Sequence, residues 1–502
     1  MLTGSPHSSG DRFPSPIYSE TVLAVNFKDA QRFFLDSLLD LHYAHALMLA
    51  RQGIVPPGAI LACLQALDML DRDELRHVAY DGQSEDLFFH VQDGIERLCG
   101  EENGGRLHTA RSRNDIALTL YRMTLRGEIL TIVDSLAQVR STLLALAKRH
   151  IDTLIPAYTH TQPAQPTTFA HYLLAAVECF ARDDLRLQAA FTTVNRSPLG
   201  ACAITTTGFP IDRDYTAELL GFEGLQLNSF GAIAATDYVT ETAGAIATAM
   251  VNLGKLVQDL LLWCNPALNF LRLSAAWVQI SSIMPQKRNP VSLEHTRILA
   301  SKALAQAQGV FTTAHNTPFG DIVDSEDDLQ PLVFAMTSDA QRALRLFAGL
   351  MADCEVDVDR LSRGAHDNFL TATELADTLV REESLSFHAA HRLVSATVRA
   401  LDRHYSPGAT VDTIQRLARE QLGRDLRLSR EELLQALDPR RFVSIRTIPG
   451  GPAYAPVEAA LRLAEISLAE TEAWLKDKRK LLAEYPERIR RERNLVEQVS
   501  HW

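Results

Sequence analysis

The chain is a succession of long segments with apolar residues at helical spacing, separated by short polar segments rich in Gly, Pro, Thr and Ser. The longest, residues 115–154, contains no proline, one glycine, and apolar residues at three- and four-residue steps from Ile116 onward. This pattern predicts a helix of about 40 residues, about 60 Å long at 1.5 Å per residue. Such a helix needs other long helices to cover its apolar stripe.

Further helices are predicted from the same spacing at 27–52, 237–263, 293–312 and 329–350. The charged run 476–493 predicts a helix with a solvated face. Alternating apolar and polar patterns are few, and the best small candidate for a strand is 441–447. The sequence therefore predicts an all-α fold built on a bundle of long helices, either within one chain or shared between chains.

The length and local composition of the chain indicate its number of domains and the character of its N-terminus and of its most apolar segment. The 502 residues exceed one usual compact core, so two or three domains or one large extended assembly are expected. The first twenty residues are rich in Ser, Pro and Gly and lack an apolar signal core, which predicts a flexible arm. The most apolar stretch, 243–263, is interrupted by Asn252, Lys255, Gln258 and Asp259, so we interpret it as a buried helix and not as a membrane span.

The net charge, the spacing of the cysteines and the absence of known binding motifs indicate which partners, location, metals and cofactors to expect. The net charge is −12, which disfavours nucleic acid as a partner. Six cysteines are scattered without a CxxC pair or zinc-type spacing to histidine, so we expect reduced thiols, a cytoplasmic location and no metal site. The sequence contains neither a Walker-type phosphate loop nor a dinucleotide-binding glycine motif, so no cofactor is expected.

A first polar segment, 107–115 (LHTARSRND), directly precedes the longest predicted helix. Ser112 or Asn114 could cap that helix, and capping requires only one such residue. The segment holds a longer run of polar and small residues, and arginines, a serine and an asparagine at a positive helix end also form a good carboxylate site. From these residues alone, helix capping and anion binding are equally supported.

A second polar segment, 158–166 (YTHTQPAQP), contains prolines that exclude a regular helix, so we predict a loop. Its threonines, histidine and glutamines can donate several hydrogen bonds, and His160 can transfer a proton near neutral pH. Taken alone, a turn whose polar side chains satisfy one another is the better interpretation.

A third polar segment, 281–290 (SSIMPQKRNP), combines paired hydroxyls, Lys287, Asn289 and two prolines that restrict the conformational freedom of the backbone. An ordinary solvated loop would also have this composition. A hydroxyl, a cation and an amide close together, however, suit the stabilisation of a carboxylate that gains charge during a reaction.

Together the three segments resemble the active-site signatures of a known family. SSIMPQKRNP is similar to the signature of the fumarase/aspartase superfamily, and HTARSRND and YTHTQPAQPTTFAHYL look like the other two active-site blocks of argininosuccinate lyases. The resemblance runs from about residue 40 to about residue 465. It implies a carbon–nitrogen lyase that releases fumarate, with helical domains at 21–113, 114–363 and 364–502. It also implies a homotetramer whose 20-helix core and active sites are shared between subunits.

The resemblance also assigns roles to residues. Family members remove a proton beta to the departing nitrogen of an N-substituted aspartate, and the resulting doubly charged aci-carboxylate needs strong donors. Ser281 matches the catalytic base, and Lys287 and Asn289 match residues that bind the aci-carboxylate. His160, paired with Glu294, matches the group that delivers a proton to nitrogen. The residues that match succinyl-carboxylate binding are Ser112, Asn114, Thr159 and Gln162, with Arg113 beside them.

The nitrogen end of the implied site departs from the family pattern. Thr236 replaces the arginine that commonly binds the distal carboxylate, and Ile280 replaces the glycine that leads the catalytic loop. The other substitutions are Val291 for aspartate, Asp321 for tyrosine, Glu326 for glutamine and Leu329 for lysine. Apart from Ile280, these positions are expected to contact the nitrogen half, where cations are lost and two acids are gained. We therefore predict a cationic leaving amine, such as a diamine or guanidine, without the carboxylate of arginine.

Three other functions compete with this hypothesis. Argininosuccinate lyase of arginine biosynthesis shares the reaction but is disfavoured by the changed nitrogen end. A catalytically inert, crystallin-like structural tetramer is disfavoured because Ser281, Lys287, Asn289, Thr159 and His160 are all retained. A reaction of the adenylosuccinate or carboxymuconate type fits the shared loop signature but not the RSRND block.

Overall fold

A computed structural model describes residues 13–402 and 404–499, and long helices dominate it, which confirms the predicted all-α class. The N-terminal helices are α1 (Pro16–Tyr18), α2 (Ala24–Phe33), α3 (Leu35–Arg51), α4 (Pro57–Met69), α5 (Arg72–His77), α6 (Leu87–Cys99) and α7 (Glu101–Leu107). The central helices are α8 (Arg113–Arg149), α9 (Phe169–Val194), α10 (Arg213–Leu219), α11 (Ser229–Ala234), α12 (Asp237–Trp263), α13 (Val291–Ala314) and α14 (Gln330–Ala352).

The C-terminal helices and the strands complete the described chain. The helices are α15 (Val358–His366), α16 (Ala372–Glu383), α17 (Phe387–Leu401), α18 (Pro407–Leu422), α19 (Arg430–Ala436), α20 (Pro439–Ser444) and α21 (Tyr454–Val499). The strands are β1 (Leu154–Thr159), β2 (Gln162–Thr168), β3 (Leu271–Arg272), β4 (Gln279–Ile280), β5 (Arg288–Asn289) and β6 (Glu355–Val356). They form three antiparallel pairs, β1 with β2, β3 with β6 and β4 with β5.

The central bundle has two ends that matter for the site. Tyr121 near the start of α8 donates a hydrogen bond to Asp327 just before α14, and Arg122 lies over the ring of Tyr238 at the start of α12. Helices α8, α12 and α14 therefore start at one end, here called the first end. At the opposite second end, Trp277 ahead of α13 donates to Asp353 after α14 at 3.0 Å.

Helix α21 packs along α8 and runs from one end of the bundle to the other. It begins at the second end, where Lys148 pairs with Glu465. It reaches the first end, where the hydroxyl of Tyr485 donates to Asp40 of α3 at 2.8 Å. Helices α16 to α19 have a separate apolar core, centred on residues such as Leu379. The domain boundaries after residues 20, 113 and 363 stay predictions.

Two helices of the bundle, α8 and α12, are long and apolar enough to cross a membrane by length and composition alone. Within the bundle, 67% of the apolar window of α8 and 44% of that of α12 is buried. The covered stripe of α12 includes Leu253, Val257 and Leu260. A core helix passes the same test, and here both helices pack against neighbouring helices.

Three local predictions from the sequence are wrong. The segment 27–52 is two helices, because Phe34 breaks the chain and packs its ring on Tyr121 and Phe334, at 5.1 and 5.6 Å between centroids. The predicted strand 441–447 is the short helix α20, since Asp438 caps it and Pro439 occupies its first turn. The predicted loop 158–166 lies in the β1–β2 hairpin, where every strand is an edge and tolerates proline.

The predicted flexible arm, residues 1–20, lies outside the described residues up to residue 12. From Pro16 the chain is helical, because the hydroxyl of Ser15 accepts the N–H of Tyr18 at 3.3 Å and proline suits a first turn. A π-helical turn, Ser19–Leu23, continues into α2.

Candidate active site

The turn that precedes α8 holds the first group of predicted site residues. Ser112 caps the helix: its hydroxyl accepts the N–H of Asn114 at 3.4 Å and its own N–H donates to Asp115 at 2.9 Å. The Ser112 hydroxyl also donates to Asn114 Oδ1 at 2.9 Å. The predicted capping is therefore present. Both polar side chains stay partly exposed, so capping does not remove them from contact with a ligand.

A cavity of about 230 Å³ opens beside this turn and brings Arg113 and Asn114 together with Asp321 and Glu326. Apolar side chains from α2, α3 and α8, together with Phe34 between α2 and α3, form one wall. The other polar residues of the lining are Tyr18, Asn26, Glu85, Asp86, Tyr121 and Asp327. Four predicted substrate-binding residues thus share one acidic and apolar cavity at the first end.

In this cavity the arginine is paired with carboxylates, whereas two of the carboxyl groups form no ion pair among the described residues. Arg113 is paired with Glu85 at 3.0 Å and Asp86 at 2.9 Å. In the described ranges, neither Asp321 nor Glu326 forms an ion pair with a basic side chain. Burial, a hydrogen bond with Asp321, and the charges of Asp321 and Asp327 raise the pKa of Glu326 to about 8. The cavity therefore carries carboxyl groups that a cation would stabilise in their ionised form.

The other substituted positions of the nitrogen half are scattered. Thr236 immediately precedes α12 at the first end and is partly exposed. Val291 begins α13 at the second end. Leu329 is 0% exposed and belongs to the main apolar core, so its side chain does not line the cavity. The expectation that Leu329 contacts the nitrogen half is wrong, because the residue packs into the start of α14.

The second group of predicted residues lies at the tip of the β1–β2 hairpin. Thr159 and Gln162 are opposite each other in the ladder, so a two-residue turn of His160 and Thr161 joins them. Both turn residues have positive φ, 51° and 61°, as the mirror-image hairpin turns require. The usual Asn-Gly signal is absent, which is why the sequence did not reveal the hairpin. The turn leaves the side chains of Thr159, His160 and Gln162 exposed.

The third group lies on the hairpin formed by β4 and β5 and at the start of α13. The hydroxyl of Ser281 accepts the N–H groups of Ile283 at 3.4 Å and Met284 at 3.1 Å. Lys287 and Glu294 are exposed, and Asn289 is partly exposed as it pairs with Gln279. Among the described residues, His160 and Glu294 make no hydrogen bond or ion pair with each other.

Comparison with known proteins identifies the family. Residues 50–305 match the lyase family model, and residues 369–444 match the model of the argininosuccinate lyase C-terminal region. The chain is 40% identical over 456 residues to argininosuccinate lyase 2 of Agrobacterium fabrum, covering 90% of both chains. The chain belongs to the argininosuccinate lyase family. It is also 38% identical over 454 residues to argininosuccinate lyase of Methanoculleus marisnigri, with 89% of this chain and 90% of the relative covered.

Solved structures place this argininosuccinate lyase relative in the fumarase/aspartase superfamily. EDDS lyase in complex with formate has a TM-score of 0.85 at 29% identity and covers 97% of this chain and 96% of its own. A variant of EDDS lyase with bound fumarate gives the same values. A fumarate lyase from Mesorhizobium sp. BNC1 has a TM-score of 0.71 at 21% identity and shares the fold. The protein is therefore a carbon–nitrogen lyase of the fumarate-releasing superfamily.

Within the single chain of this lyase, the three groups of predicted residues are far apart. The first group starts α8, and β1 with the second group follows the far end of α8. Helix α8 has 37 residues and is therefore about 56 Å long at 1.5 Å per residue. The third group lies at the start of α13, also at the second end. The chain thus brings Ser112, Arg113, Asn114, Asp321 and Glu326 to one end and the catalytic candidates to the other.

The sequence did not reveal two acidic residues that line this cavity, Glu85 and Asp86. Asp86 caps α6 by accepting the N–H of Phe89 at 2.9 Å, and both carboxylates hold Arg113. The available signal was an acidic pair directly before an apolar helical segment, which is typical of a helix cap. This acidic pair did not indicate the ion pairs with Arg113, because Arg113 begins α8 and is distant from the pair in sequence.

Proposed function

We propose that the protein cleaves an N-substituted aspartate into fumarate and a cationic amine other than arginine, or catalyses the reverse addition. The observation that carries this proposal is the position of Asp321 and Glu326 beside Arg113 and Asn114 in one cavity, where the two carboxyl groups form no ion pair with a basic side chain of the described residues. An ammonium or guanidinium group would neutralise them, whereas the carboxylate of arginine would be repelled. A solved relative, EDDS lyase, is known with bound fumarate, which supports an enzyme of this class with a different amine.

Proton abstraction is assigned to Ser281. A serine hydroxyl is a weak base, and the ionised form that can remove a proton is populated only where negative charge on its oxygen is stabilised. The two backbone N–H groups of Ile283 and Met284 point at this oxygen and supply part of that stabilisation. Lys287 and Asn289, on the same hairpin, would stabilise the charge that develops on the substrate carboxylate.

Proton delivery to the leaving nitrogen is assigned to His160 with Glu294. Because these residues and Ser281 lie at the second end, while Ser112 and Asn114 lie at the first, one subunit does not assemble a complete site. We therefore propose a homotetramer in which the first end of one subunit meets the second ends of others. The six free cysteines fit a reducing, cytoplasmic compartment, which we propose as the location.

The names of the most similar curated relatives favour one alternative, argininosuccinate lyase of arginine biosynthesis. The fumarate half is the same in both functions, so only the amine discriminates between them. Thr236, Asp321 and Glu326 favour the first proposal, because they remove a cation and add acids where arginine would place its carboxylate.

Amine selectivity tests the proposed function directly. Fumarate is offered with a panel of diamines, guanidines and amino acids, and adducts are detected by mass spectrometry. We expect a cationic amine without a carboxylate to exceed arginine in kcat/KM by about tenfold or more, the ratio that about 1.4 kcal/mol of charge repulsion produces. Arginine as the best acceptor would establish the alternative.

Substitution of the two carboxyl groups localises the selectivity. The double variant Asp321→Asn/Glu326→Gln is expected to raise KM for the preferred amine by about 30-fold while leaving KM for fumarate unchanged, since the two lost charge contacts contribute about 1 kcal/mol each. Asp328→Asn is the matched control, because Asp328 is an exposed carboxylate of the same segment that does not line the cavity. Equal effects of both changes would contradict the assignment.

The binding of the amine is expected to depend on pH. With its pKa raised to about 8, Glu326 is mostly protonated at pH 7 in the free enzyme. A bound ammonium favours the ionised form, so binding should release up to about one proton, and affinity should rise up to about tenfold per pH unit until about pH 8. Calorimetry in two buffers of different ionisation enthalpy measures the proton. Glu326→Gln should abolish the release, and an unchanged release would assign it to another group.

A further inference from the structure

A buried carboxylate at the first end, Asp115, has no role in the proposed chemistry. It is 0% exposed. One oxygen, Oδ1, accepts the N–H of Ser112 at 2.9 Å and closes the cap of α8. The other oxygen, Oδ2, accepts the N–H of Gly200 at 2.8 Å and of Cys202 at 2.9 Å. A single carboxylate thus joins the start of α8 to a loop that lies far away in sequence.

The loop 198–203 is shaped to receive this carboxylate. Gly200 has φ 86° and Cys202 has φ 53°, a backbone course that turns their N–H groups toward the same anion. A left-handed conformation is unfavourable for a residue with a side chain, so Cys202 has to be held by its contacts. Asp115 supplies these contacts, and the thiol of Cys202 adds a weak bond to the carbonyl of Ala110 at 3.4 Å.

The opposite side of the loop is held by Arg213. Its Nε donates to the carbonyl of Leu199 at 2.9 Å, and a terminal nitrogen donates to that of Pro198 at 3.4 Å. A Cβ at Gly200 would lie only 2.6 Å from Cγ of Arg213, so this packing requires glycine. The loop is therefore fixed between a carboxylate that binds its N–H groups and a guanidinium that binds its carbonyls.

The fixed loop touches the turn that holds the predicted carboxylate ligands. The Asn114 amide nitrogen donates to the carbonyl of Ala203 at 3.3 Å, and its amide oxygen accepts from Ser112. Both ends of the Asn114 amide are thereby oriented. We propose that Asp115 is a positioning residue, which docks the loop 198–203 and so sets the directions in which Ser112 and Asn114 present their polar groups to fumarate. The inference rests on the proposed role of these two residues in binding fumarate.

The test compares Asp115→Asn with a matched variant in the full-length enzyme. Asparagine places an NH2 group against backbone donors, so the loop should loosen. We expect fumarate affinity, measured by calorimetry, to fall about tenfold or more, the effect of losing charged hydrogen bonds from a buried site. Amide exchange at Gly200 and Cys202 should accelerate, and KM for fumarate should change more than kcat.

Glu383→Gln is the control, because Glu383 is also a buried carboxylate that accepts a loop N–H, that of Leu428 at 2.9 Å, but lies in the C-terminal helices. It should lower the melting temperature without changing fumarate affinity. Cys202→Gly relaxes the loop without leaving a buried donor unpaired, and it should give a smaller loss of affinity in the same direction.

Each outcome decides the inference. Wild-type fumarate affinity in Asp115→Asn overturns it, whether or not exchange at Gly200 and Cys202 is faster. An equal loss of affinity in Glu383→Gln also overturns it, because the effect would then follow global stability. Asn114→Ala tests the premise separately: if it weakens fumarate binding and Asp115→Asn does not, only the inference fails. If neither weakens binding, the proposed carboxylate site at this turn fails as well.

Discussion

Replacing Ser281 with alanine is expected to lower kcat for fumarate release by about 10²–10⁴-fold, the usual contribution of a positioned general base. The loop would keep its backbone course, because β4 and β5 still pair and Arg288 still donates to the carbonyl of Leu273 at 2.8 Å. What is lost is the oxygen on which the N–H groups of Ile283 and Met284 converge. Single-turnover absorbance of fumarate measures the chemical step.

The neighbouring serine gives the control for this prediction. Ser282 is exposed and has the same side chain on the same loop, so Ser282→Ala should keep nearly the wild-type rate. Fumarate affinity should change little in either variant, because the base acts on the proton and not on the bound carboxylates. A full rate in Ser281→Ala would show that another group removes the proton.

The helices were predictable because their apolar spacing is strong over many turns. The segment 237–263 is observed with the same limits as α12, where Asp237 follows a non-helical Thr236 and the helix ends after Trp263. The errors arose where a single residue outweighed a pattern. Phe34 interrupts the helix because its ring is buried. A segment with a β-like pattern is helical because Asp438 caps α20 and Pro439 occupies its first turn.

Motifs in the sequence indicate the candidate residues of the site, but they do not give their spatial arrangement. Helical spacing gives the length of α8, yet it does not say that Tyr121 meets Asp327, which is what brings Asp321 and Glu326 beside Arg113. The same limitation explains Leu329. A lysine-to-leucine change indicates a lost charge, whereas only the packing shows that this position faces the core.

The two halves of the proposed substrate place opposite electrostatic demands on the site. The fumarate half would require donors and cations, which Lys287 and Asn289 at the second end and the polar turn at Ser112 at the first end would supply. The nitrogen half requires acceptors, supplied by Asp321 and Glu326. A substrate with a dianionic succinyl group and a cationic amine would complement both, and its orientation would be fixed by charge before any chemistry occurs.

The ion pair between Arg140 and Asp184 is expected to be the most sensitive point of the scaffold. Arg140 of α8 and Asp184 of α9 are 0% and 1% exposed, and Arg140 also donates to Thr471 and Ser467 of α21, both at 3.0 Å. Arg140→Met would leave Asp184 buried without its cation, beside the carboxylate of Asp183. We expect a loss of about 3–5 kcal/mol in the free energy of unfolding, measured by chemical denaturation.

The pH dependence of this loss identifies its cause. Burial raises the pKa of Asp184 to about 7 even with Arg140 opposing the shift, against an unfolded value near 3.8. A carboxyl group with a raised pKa loses stability as pH rises through that value, so Arg140→Met should lose less at pH 5 than at pH 8. The double variant Arg140→Met/Asp184→Leu should recover most of the stability and lose this pH dependence, because no buried charge remains. If the double variant is as unstable as the single one, lost packing and not an uncompensated charge is responsible.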